Sequence, residues 1–326
     1  MTETLKKLIC LLQDGQFHSG EQLGKELGLT RSAIWKLTKQ LSAWDLSLES
    51  VPNKGYRIPG GITLLDKDKI ISLISPEQRV LFDSFEIFDS LPSTNDHLAH
   101  NPDPRKINRI CLAEKQTKGK GRRGRSWTSP FAKNIYLSLQ WHFSRDLSEL
   151  AGLSLAISIS VVETLKEWGI HQTLGIKWPN DILVDNQKLA GILIELSGEA
   201  HDSTSAIIGI GLNVHMPIAT EPPITQEWTD LERLTNKSVN RNELTGKLLT
   251  KLLTTLPLFE KQGLAAFTPQ WHTWDITQGK PVVVITATSE VQGFGKGIDA
   301  YGHFLVEVAP GITKRFSSGE VSIRLA

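Results

Sequence analysis

The chain has 326 residues, enough for two or three domains with buried cores. Its hydrophobic content of 40% and charged content of 22% are ordinary for a globular protein, and its net charge of +1 excludes a general attraction to nucleic acid or membranes. No run is apolar enough for a signal peptide or a membrane span, and the two cysteines, Cys10 and Cys111, form no CxxC pair. We therefore expect a cytoplasmic protein that does not bind membranes.

Residues 1–60 have the pattern of a winged helix-turn-helix. Ser19 and Thr30 are predicted N-caps of two short helices, and Gly28 suits the left-handed residue that ends the first helix. The turn-forming segment 52–55 then predicts a hairpin, the wing. The predicted DNA-binding residues are Gly20, Thr30, Arg31, Ser32, Trp35, Lys36 and Lys39. Because the region has eight basic and six acidic side chains, its small net charge leaves a helical protein-interaction domain as the alternative.

Beyond the break at 59–61, the pattern predicts a central domain over residues 66–270 and a small one over 275–326. Helices are expected at Leu147–Trp168 and 239–260, and strands at Phe85–Phe88, Gly175–Val184, Lys188–Glu195 and Ala206–Asn213. Since these elements do not alternate regularly, a mixed and mostly antiparallel sheet fits better than a doubly wound one. The short strands between 282 and 325 indicate a small β-barrel.

Polar residues interrupt the two predicted strands around residues 177–188. Lys177, Asn180, Asp181 and Lys188 all lie within otherwise apolar runs. A buried lysine is costly without a partner, so these positions imply bound anions. The alternative is a structural ion pair of Lys188 with Asp181 or Glu195.

Three short polar residues, Ser93, Thr94 and Asn95, precede a predicted short helix. Such residues commonly cap helices or form turns. Their polar groups are equally able to hold the polar head of a small ligand.

The segment from Lys115 to Trp127 is the most unusual part of the chain. Six of the eleven residues from Lys115 to Arg125 are basic and three are glycine. The glycines spell GxGxxG, and 119–126 is close to a phosphate-binding P-loop, but both motifs require a following helix. The alternating run Asn134–Leu139 predicts a strand instead. We therefore interpret the segment as another kind of anion-binding loop, with a solvated linker or nucleic-acid patch as the alternative.

Taken together, these motifs resemble those of a known family. The motifs are Ser93-Thr-Asn95, Gln116, Gly119-Lys-Gly-Arg-Arg-Gly-Arg125, Lys177-Trp-Pro-Asn-Asp181, Lys188-Leu-Ala-Gly-Ile192 and Gly209-Ile-Gly-Leu-Asn213. With the winged helix-turn-helix in front, the chain resembles the bifunctional biotin protein ligases that repress the biotin operon. The resemblance implies an α+β multidomain fold: an N-terminal winged helix-turn-helix, a central mixed α/β catalytic domain of the class II biotin/lipoate ligase type, and a C-terminal SH3-like β-barrel.

The resemblance also implies a two-step reaction and its partners. Biotin and ATP would form biotinyl-5′-AMP with Mg²⁺ bridging the phosphates, and a lysine of a biotin carboxyl carrier protein would then take the biotin. The adenylate would also be the corepressor of a homodimer on operator DNA.

The family's site residues match positions in this chain. Biotin would be held by Ser93, Thr94, Asn95, Gln116, Lys120, Gly121, Arg122 and Lys188. ATP and the adenylate would be held by Gly119, Arg123, Arg125, Trp127, Lys177, Asn180, Asp181 and Asn213, with Lys177 and Lys188 catalytic. No resident metal site is implied, and Asp181 is the acid nearest to a phosphate-bound Mg²⁺.

Two positions depart from the family pattern. Lys120 stands where arginine is usual, and it cannot offer a bidentate fork. Trp35 stands where a polar recognition-helix residue is expected, so the DNA sequence read by the helix would differ. Lipoate ligases and ligand-sensing repressors without catalysis are the competing classes. The pairing of Lys188-Leu-Ala-Gly-Ile192 with the glycine loop argues against the first, and the presence of Lys188 and the basic residues of the loop argues against the second.

Overall fold

A computed structural model describes residues 1–103, 105, 107–199, 203–217, 224–286, 288–319 and 321–325. The α-helices are α1 Glu3–Leu12, α2 Gly20–Leu27, α3 Arg31–Thr38, α4 Lys67–Ser72, α5 Pro76–Arg79, α6 Thr94–His100, α7 Leu153–Glu167, α8 Leu231–Thr235, α9 Arg241–Gln262 and α10 Thr268–Trp274. The strands are β1 Glu49–Val51, β2 Gly55–Arg57, β3 Ser84–Phe88, β4 Arg109–Ala113, β5 Ile135–Phe143, β6 Leu174–Lys177, β7 Asp181–Val184, β8 Gln187–Glu199, β9 Ser203–Leu212, β10 Pro281–Ile285, β11 Glu290–Ile298, β12 Phe304–Ala309, β13 Ile312–Phe316 and β14 Ser322–Leu325.

The N-terminal part is the predicted winged helix-turn-helix. Ser19 accepts a hydrogen bond from the Gln22 amide at 3.0 Å, and Thr30 accepts one from the Ala33 amide at 3.3 Å, so both cap helices as expected. Gly28 has a φ of 67° and ends α2 in the left-handed conformation. Strands β1 and β2 pair antiparallel and form the wing.

The central part is built on a seven-stranded sheet in the order β3-β4-β5-β9-β8-β7-β6. Only β3 and β4 pair in parallel, which confirms the mixed, mostly antiparallel prediction. Helices α7 and α9 pack on one face, where the odd-numbered residues of β5 join the main core. Because side chains alternate along a strand, the even-numbered residues of β5 point to the opposite face, which α6 partly covers.

Two predicted elements are interrupted in the structure. The helix expected from Leu147 to Trp168 begins as a 3₁₀ turn at Leu147–Leu150, and Gly152, with a φ of 82°, separates that turn from α7. The strand expected at 175–184 is two antiparallel strands, β6 and β7, because the chain reverses at the cis Trp178–Pro179 peptide. The expected turn at Asp185-Asn186 is present, with both residues at positive φ.

One segment differs from the expectation that no run approaches a membrane span. Residues Leu147–Glu167 are long and apolar enough by composition, with a mean hydropathy of 1.4 over their most apolar window. In the fold α7 lies against α9 and the central sheet with most of its residues buried. Its apolar character is therefore that of a core helix.

The C-terminal part is a five-stranded antiparallel sheet in the order β13-β12-β11-β10-β14. Strands β13 and β14 lie at opposite edges, and in the described part of the chain they share no pairing. The short antiparallel strands predicted for this part are thus confirmed.

A buried ion pair holds the linker that follows the wing against the central part. Arg241 and Glu114 lie 2.7 Å apart, with 3% and 4% of their side chains exposed. Arg241 also donates to the Thr63 carbonyl, and Glu114 accepts from the Leu65 amide at 2.5 Å. The pair therefore fixes the path of the linker to the central sheet.

Candidate active site

A cavity of about 920 Å³ lies on the α6 side of the central sheet. It is lined by fifteen of the sixteen residues predicted to bind biotin or ATP. These are Ser93, Thr94, Asn95, Gln116, Lys120, Gly121, Arg122, Arg123, Arg125, Trp127, Lys177, Asn180, Asp181, Lys188 and Asn213. The exception is Gly119. A Cβ on this residue would lie 2.4 Å from the carbonyl oxygen of Trp127, so Gly119 packs beneath the loop. Segments far apart in sequence thus converge on one site.

The basic loop folds back on itself over this cavity. The Gly121 amide donates to the Arg125 carbonyl at 2.7 Å, and the Trp127 amide donates to the Gly119 carbonyl at 2.8 Å. Arg123 and Gly124 have φ values of 58° and 72° and form the turn that these two bonds enclose. Strand β5, not a helix, follows the loop, so neither the dinucleotide fingerprint nor the P-loop applies.

The loop's basic residues make different contacts. Arg122 donates to Asn180 Oδ1 at 3.1 Å and to the Ser318 carbonyl, so it connects the loop to the β6–β7 turn and to the C-terminal sheet. Lys120 forms an ion pair with Asp96 on α6, and this hydrogen bond raises the pKa of Lys120. At the position where the family pattern has arginine, the positive charge of Lys120 is therefore partly neutralised by Asp96.

The polar end of the cavity is built at the start of α6. Ser93 caps the helix, accepting from the Asp96 amide at 3.3 Å, so the capping interpretation holds for this residue. Gln116 Oε1 accepts from the Thr94 amide at 2.9 Å and lies 3.1 Å from the Thr94 hydroxyl. Asn95 is buried and donates to Glu195 at 2.7 Å. Capping and ligand-facing roles are thus divided among neighbouring residues.

The cationic end lies where β6, β7 and β8 meet. Lys188 Nζ is 2.7 Å from Asp181 Oδ1, the ion pair weighed as a structural alternative, and 5.3 Å from the centre of the Trp127 ring. Lys177 Nζ is 3.9 Å from the same carboxylate. Asn213 donates to the carbonyls of Lys188 and Thr229, so it also supports the backbone that carries Lys188.

The cavity wall is strongly positive. Among its described residues there are seven basic side chains and one acid, Asp181. Burial lowers the pKa of Lys177, and the neighbouring Lys188 lowers it further while Asp181 raises it. Burial also lowers the pKa of Arg122. An anion entering the cavity favours the charged form of Lys177, because it offsets desolvation and like-charge repulsion.

Three cavity glycines that lie in strands were not among the predicted site residues. A Cβ on Gly209 would lie 2.4 Å from Asn95 Oδ1, and one on Gly211 would lie 2.4 Å from the Trp127 ring. Gly191 faces the same ring at 3.1 Å. Since Gly209 and Gly211 are two residues apart on β9, the polar and aromatic contacts lie roughly 7 Å apart on one face. Repeated glycines in strands signal such close approaches.

The donor atoms of the cavity limit the kind of metal ion it can hold. The described part of the chain holds no group of three or more His, Cys, Asp or Glu that could bind a metal. Mg²⁺ commonly takes only one or two carboxylates and otherwise keeps water and substrate phosphates. A single carboxylate such as Asp181 therefore fits a Mg²⁺ ion that keeps water and phosphate ligands.

The predicted DNA-binding residues lie apart from this cavity. Thr30, Arg31, Ser32, Trp35, Lys36 and Lys39 are all exposed on or beside α3. Gly20 is buried, and a Cβ there would lie 3.3 Å from the Arg31 side chain, so it makes room for that side chain. Lys39 Nζ lies 3.5 Å from the centre of the Trp35 ring, which leaves the indole 49% exposed. The exposed face of α3 is basic and carries no acid.

Comparison with known families assigns each part of this architecture. Residues 87–213, which contain the cavity's main motifs, match the biotin/lipoate A/B protein ligase family. Residues 3–57 match a helix-turn-helix domain, and residues 277–324 match the biotin protein ligase C-terminal domain. The three matches occur in the order expected from the sequence.

Relatives align over almost the whole chain. The bifunctional ligase/repressor BirA of Salmonella typhimurium is 39% identical over 98% of this chain and 97% of its own length. BirA of Bacillus subtilis is 29% identical, with 98% of both chains covered. Among solved structures, the Aquifex aeolicus biotin protein ligase in complex with biotin and ATP has a TM-score of 0.62 at 27% identity, covering 75% of this chain and 98% of that one. The chain belongs to the family of bifunctional ligase/repressor BirA proteins.

Proposed function

We propose that the protein activates biotin with ATP and transfers it, through biotinyl-5′-AMP, to a lysine of a biotin carrier protein. The enzyme is a biotin–protein ligase, and its helix-turn-helix domain makes it a repressor of the biotin operon as well. We further propose that the adenylate is the corepressor and that a homodimer binds a palindromic operator.

One observation carries the ligase proposal: a single cavity has a hydrogen-bonding end and a cationic end. Its 920 Å³ lies at the upper end of the 300–1,000 Å³ typical of ligand sites, which suits two ligands side by side. Thr94, Asn95 and Gln116 would bind the ureido ring of biotin at the polar end. The carboxylate tail would then point along β9 towards Lys188. In this arrangement the two substrates meet at the cations.

The cationic end suits the chemistry of the first step. The biotin carboxylate attacks the α-phosphate of ATP, and pyrophosphate leaves, so two anions must approach each other. Lys188 and Lys177 would reduce this repulsion and stabilise the charge that builds on the phosphate. Arg125, Asn180 and Asn213 would hold the nucleotide, with Trp127 beside its base. Asp181 would hold a phosphate-bound Mg²⁺, which supplies further charge neutralisation.

The loop residues would close the site over the tail. Lys120, Gly121, Arg122 and Arg123 would cover the biotin tail and adenylate, with Gly119 packing below them. Since Arg122 already bonds to Asn180 and Ser318, closure would involve the C-terminal sheet. In the second step the neutral amine of the carrier lysine would attack the anhydride carbonyl, form the amide with loss of a proton, and displace AMP.

A direct assay tests the activation step. The protein is incubated with Mg²⁺, ATP labelled on the α-phosphate and either biotin or lipoate. We expect labelled, protein-bound biotinyl-adenylate with biotin and little product with lipoate. Product with lipoate alone would identify a lipoate ligase, and no product with either would overturn the ligase assignment.

The repressor proposal predicts ligand-dependent DNA binding. Duplex palindromes selected from a random pool should bind more tightly when biotin and ATP are present, and the affinity should fall steeply with salt because α3 contacts phosphates. Electrophoretic shifts at two salt concentrations, with a scrambled duplex as control, measure both effects. Equal affinity for selected and scrambled DNA, unaffected by the adenylate, would count against this role.

A further inference from the structure

Behind the polar end of the cavity lies one buried hydroxyl that the sequence motifs do not include. Ser138 is on β5, and its side chain is fully buried. Its Oγ lies 2.6 Å from Thr94 Oγ1 and 2.6 Å from Asn95 Oδ1. Ser138 does not line the cavity, while both of its partners do. Any effect of Ser138 on a ligand must therefore pass through Thr94 and Asn95.

The direction of the hydrogen bond to Asn95 follows from its other partners. Asn95 Nδ2 lies 2.7 Å from a Glu195 carboxylate oxygen and 3.5 Å from the Leu193 carbonyl. Both of these groups accept hydrogen bonds, so the amide nitrogen must face them. The amide oxygen then faces Ser138 and can only accept. The Ser138 hydroxyl therefore donates to this oxygen, and Thr94 Oγ1 accepts from the same hydroxyl.

Thr94 in turn donates to Gln116. The Thr94 hydroxyl lies 3.1 Å from Gln116 Oε1, and the same oxygen accepts the Thr94 amide hydrogen at 2.9 Å. Because the only hydrogen of the Thr94 hydroxyl is directed at Gln116 and one lone pair accepts from Ser138, the remaining lone pair is what this hydroxyl can offer a ligand.

We infer that Ser138 is a positioning residue that holds the oxygens of Thr94 and Asn95 in place, so that Thr94 offers its free lone pair to a ligand group with an N–H donor. This inference rests on the proposed function, because the ureido ring of biotin supplies two N–H donors. Without the Ser138 hydroxyl, the Thr94 and Asn95 oxygens both lose the donor that fixes them. The ligand N–H groups then meet acceptors that are no longer held in position.

The test compares two buried serines in the full-length protein. We expect Ser138→Ala to raise the KM for biotin in adenylate formation at least tenfold, with the KM for ATP and kcat changed less than threefold. Ser160→Ala is the matched control: Ser160 is also buried, and its Oγ lies 2.6 Å from the Thr255 hydroxyl. Ser160 lies in α7, on the other side of the sheet, so its loss should leave the KM for biotin unchanged.

The outcomes separate the inference from the function on which it rests. If the wild-type protein makes no biotinyl-adenylate, the proposed function fails. If it does, and Ser138→Ala has a wild-type KM for biotin, or both variants raise that KM equally, the positioning role is wrong. Ser138→Cys, which keeps the volume with a weaker donor, should give an intermediate KM and serves if the alanine variant does not fold.

Discussion

Lys188→Ala is expected to slow biotinyl-adenylate formation roughly 100-fold, the usual effect of removing one group that stabilises charge in a transition state. Both the ammonium group and the backbone of Lys188 are held in place. Asp181 lies 2.7 Å away, the Trp127 ring is 5.3 Å away, and the Lys188 backbone bonds to the carbonyl of Glu227 and the amide of Thr229. Because the charge is already in place before the phosphate arrives, its contribution needs no rearrangement. Single-turnover formation of labelled adenylate measures the rate.

A second lysine separates this contribution from general electrostatics. Lys118 belongs to the same basic segment, is exposed and does not line the cavity. Lys118→Ala removes the same charge, and we expect less than a twofold change in rate because water screens exposed charges. Equal losses from both variants would show that total charge matters, and a wild-type rate for Lys188→Ala would remove Lys188 from the mechanism.

Much of the local structure could be predicted because its causes are local. Ser19, Thr30 and Ser93 cap helices by bonding to amides three residues ahead, which a sequence pattern displays directly. The candidate site residues could also be predicted, because glycine, basic and polar residues are conspicuous within otherwise apolar segments. What these residues contact could not be predicted, since Lys120 pairs with Asp96 and Arg122 with Ser318 through the tertiary fold.

Other features of the site were not predicted because they depend on the tertiary fold. Ser138 occupies an alternating position on β5, where a polar residue normally indicates a solvent-facing side, but α6 packs against this strand and Ser138 is buried. The reversal at Trp178–Pro179 lies inside an apolar run that reads as one strand. Gly209 and Gly211 were recognised as strand residues, but the side chains they admit come from elsewhere in the chain.

The largest loss of stability is expected from Arg241→Met. Arg241 donates to Glu114 at 2.7 Å, to the Asn134 carbonyl at 3.0 Å and to the Thr63 carbonyl. Its removal leaves the Glu114 carboxylate buried, and among the described residues the Leu65 amide is its remaining hydrogen-bond partner. Breaking such a pair from one side typically costs about 3–5 kcal/mol, because the remaining charge stays desolvated. Urea unfolding followed by fluorescence measures this loss.

Two further variants show whether the unpaired charge is the cause. Lys247 and Glu243 form an exposed ion pair at 3.8 Å on the same helix, so Lys247→Met should cost less than about 1 kcal/mol. Adding Glu114→Leu to Arg241→Met removes the stranded carboxylate, and part of the stability should return. If the double variant is instead less stable than Arg241→Met alone, the bonds from Glu114 to the linker dominate. The pair would then act mainly as an anchor for the chain between the DNA-binding and ligase parts.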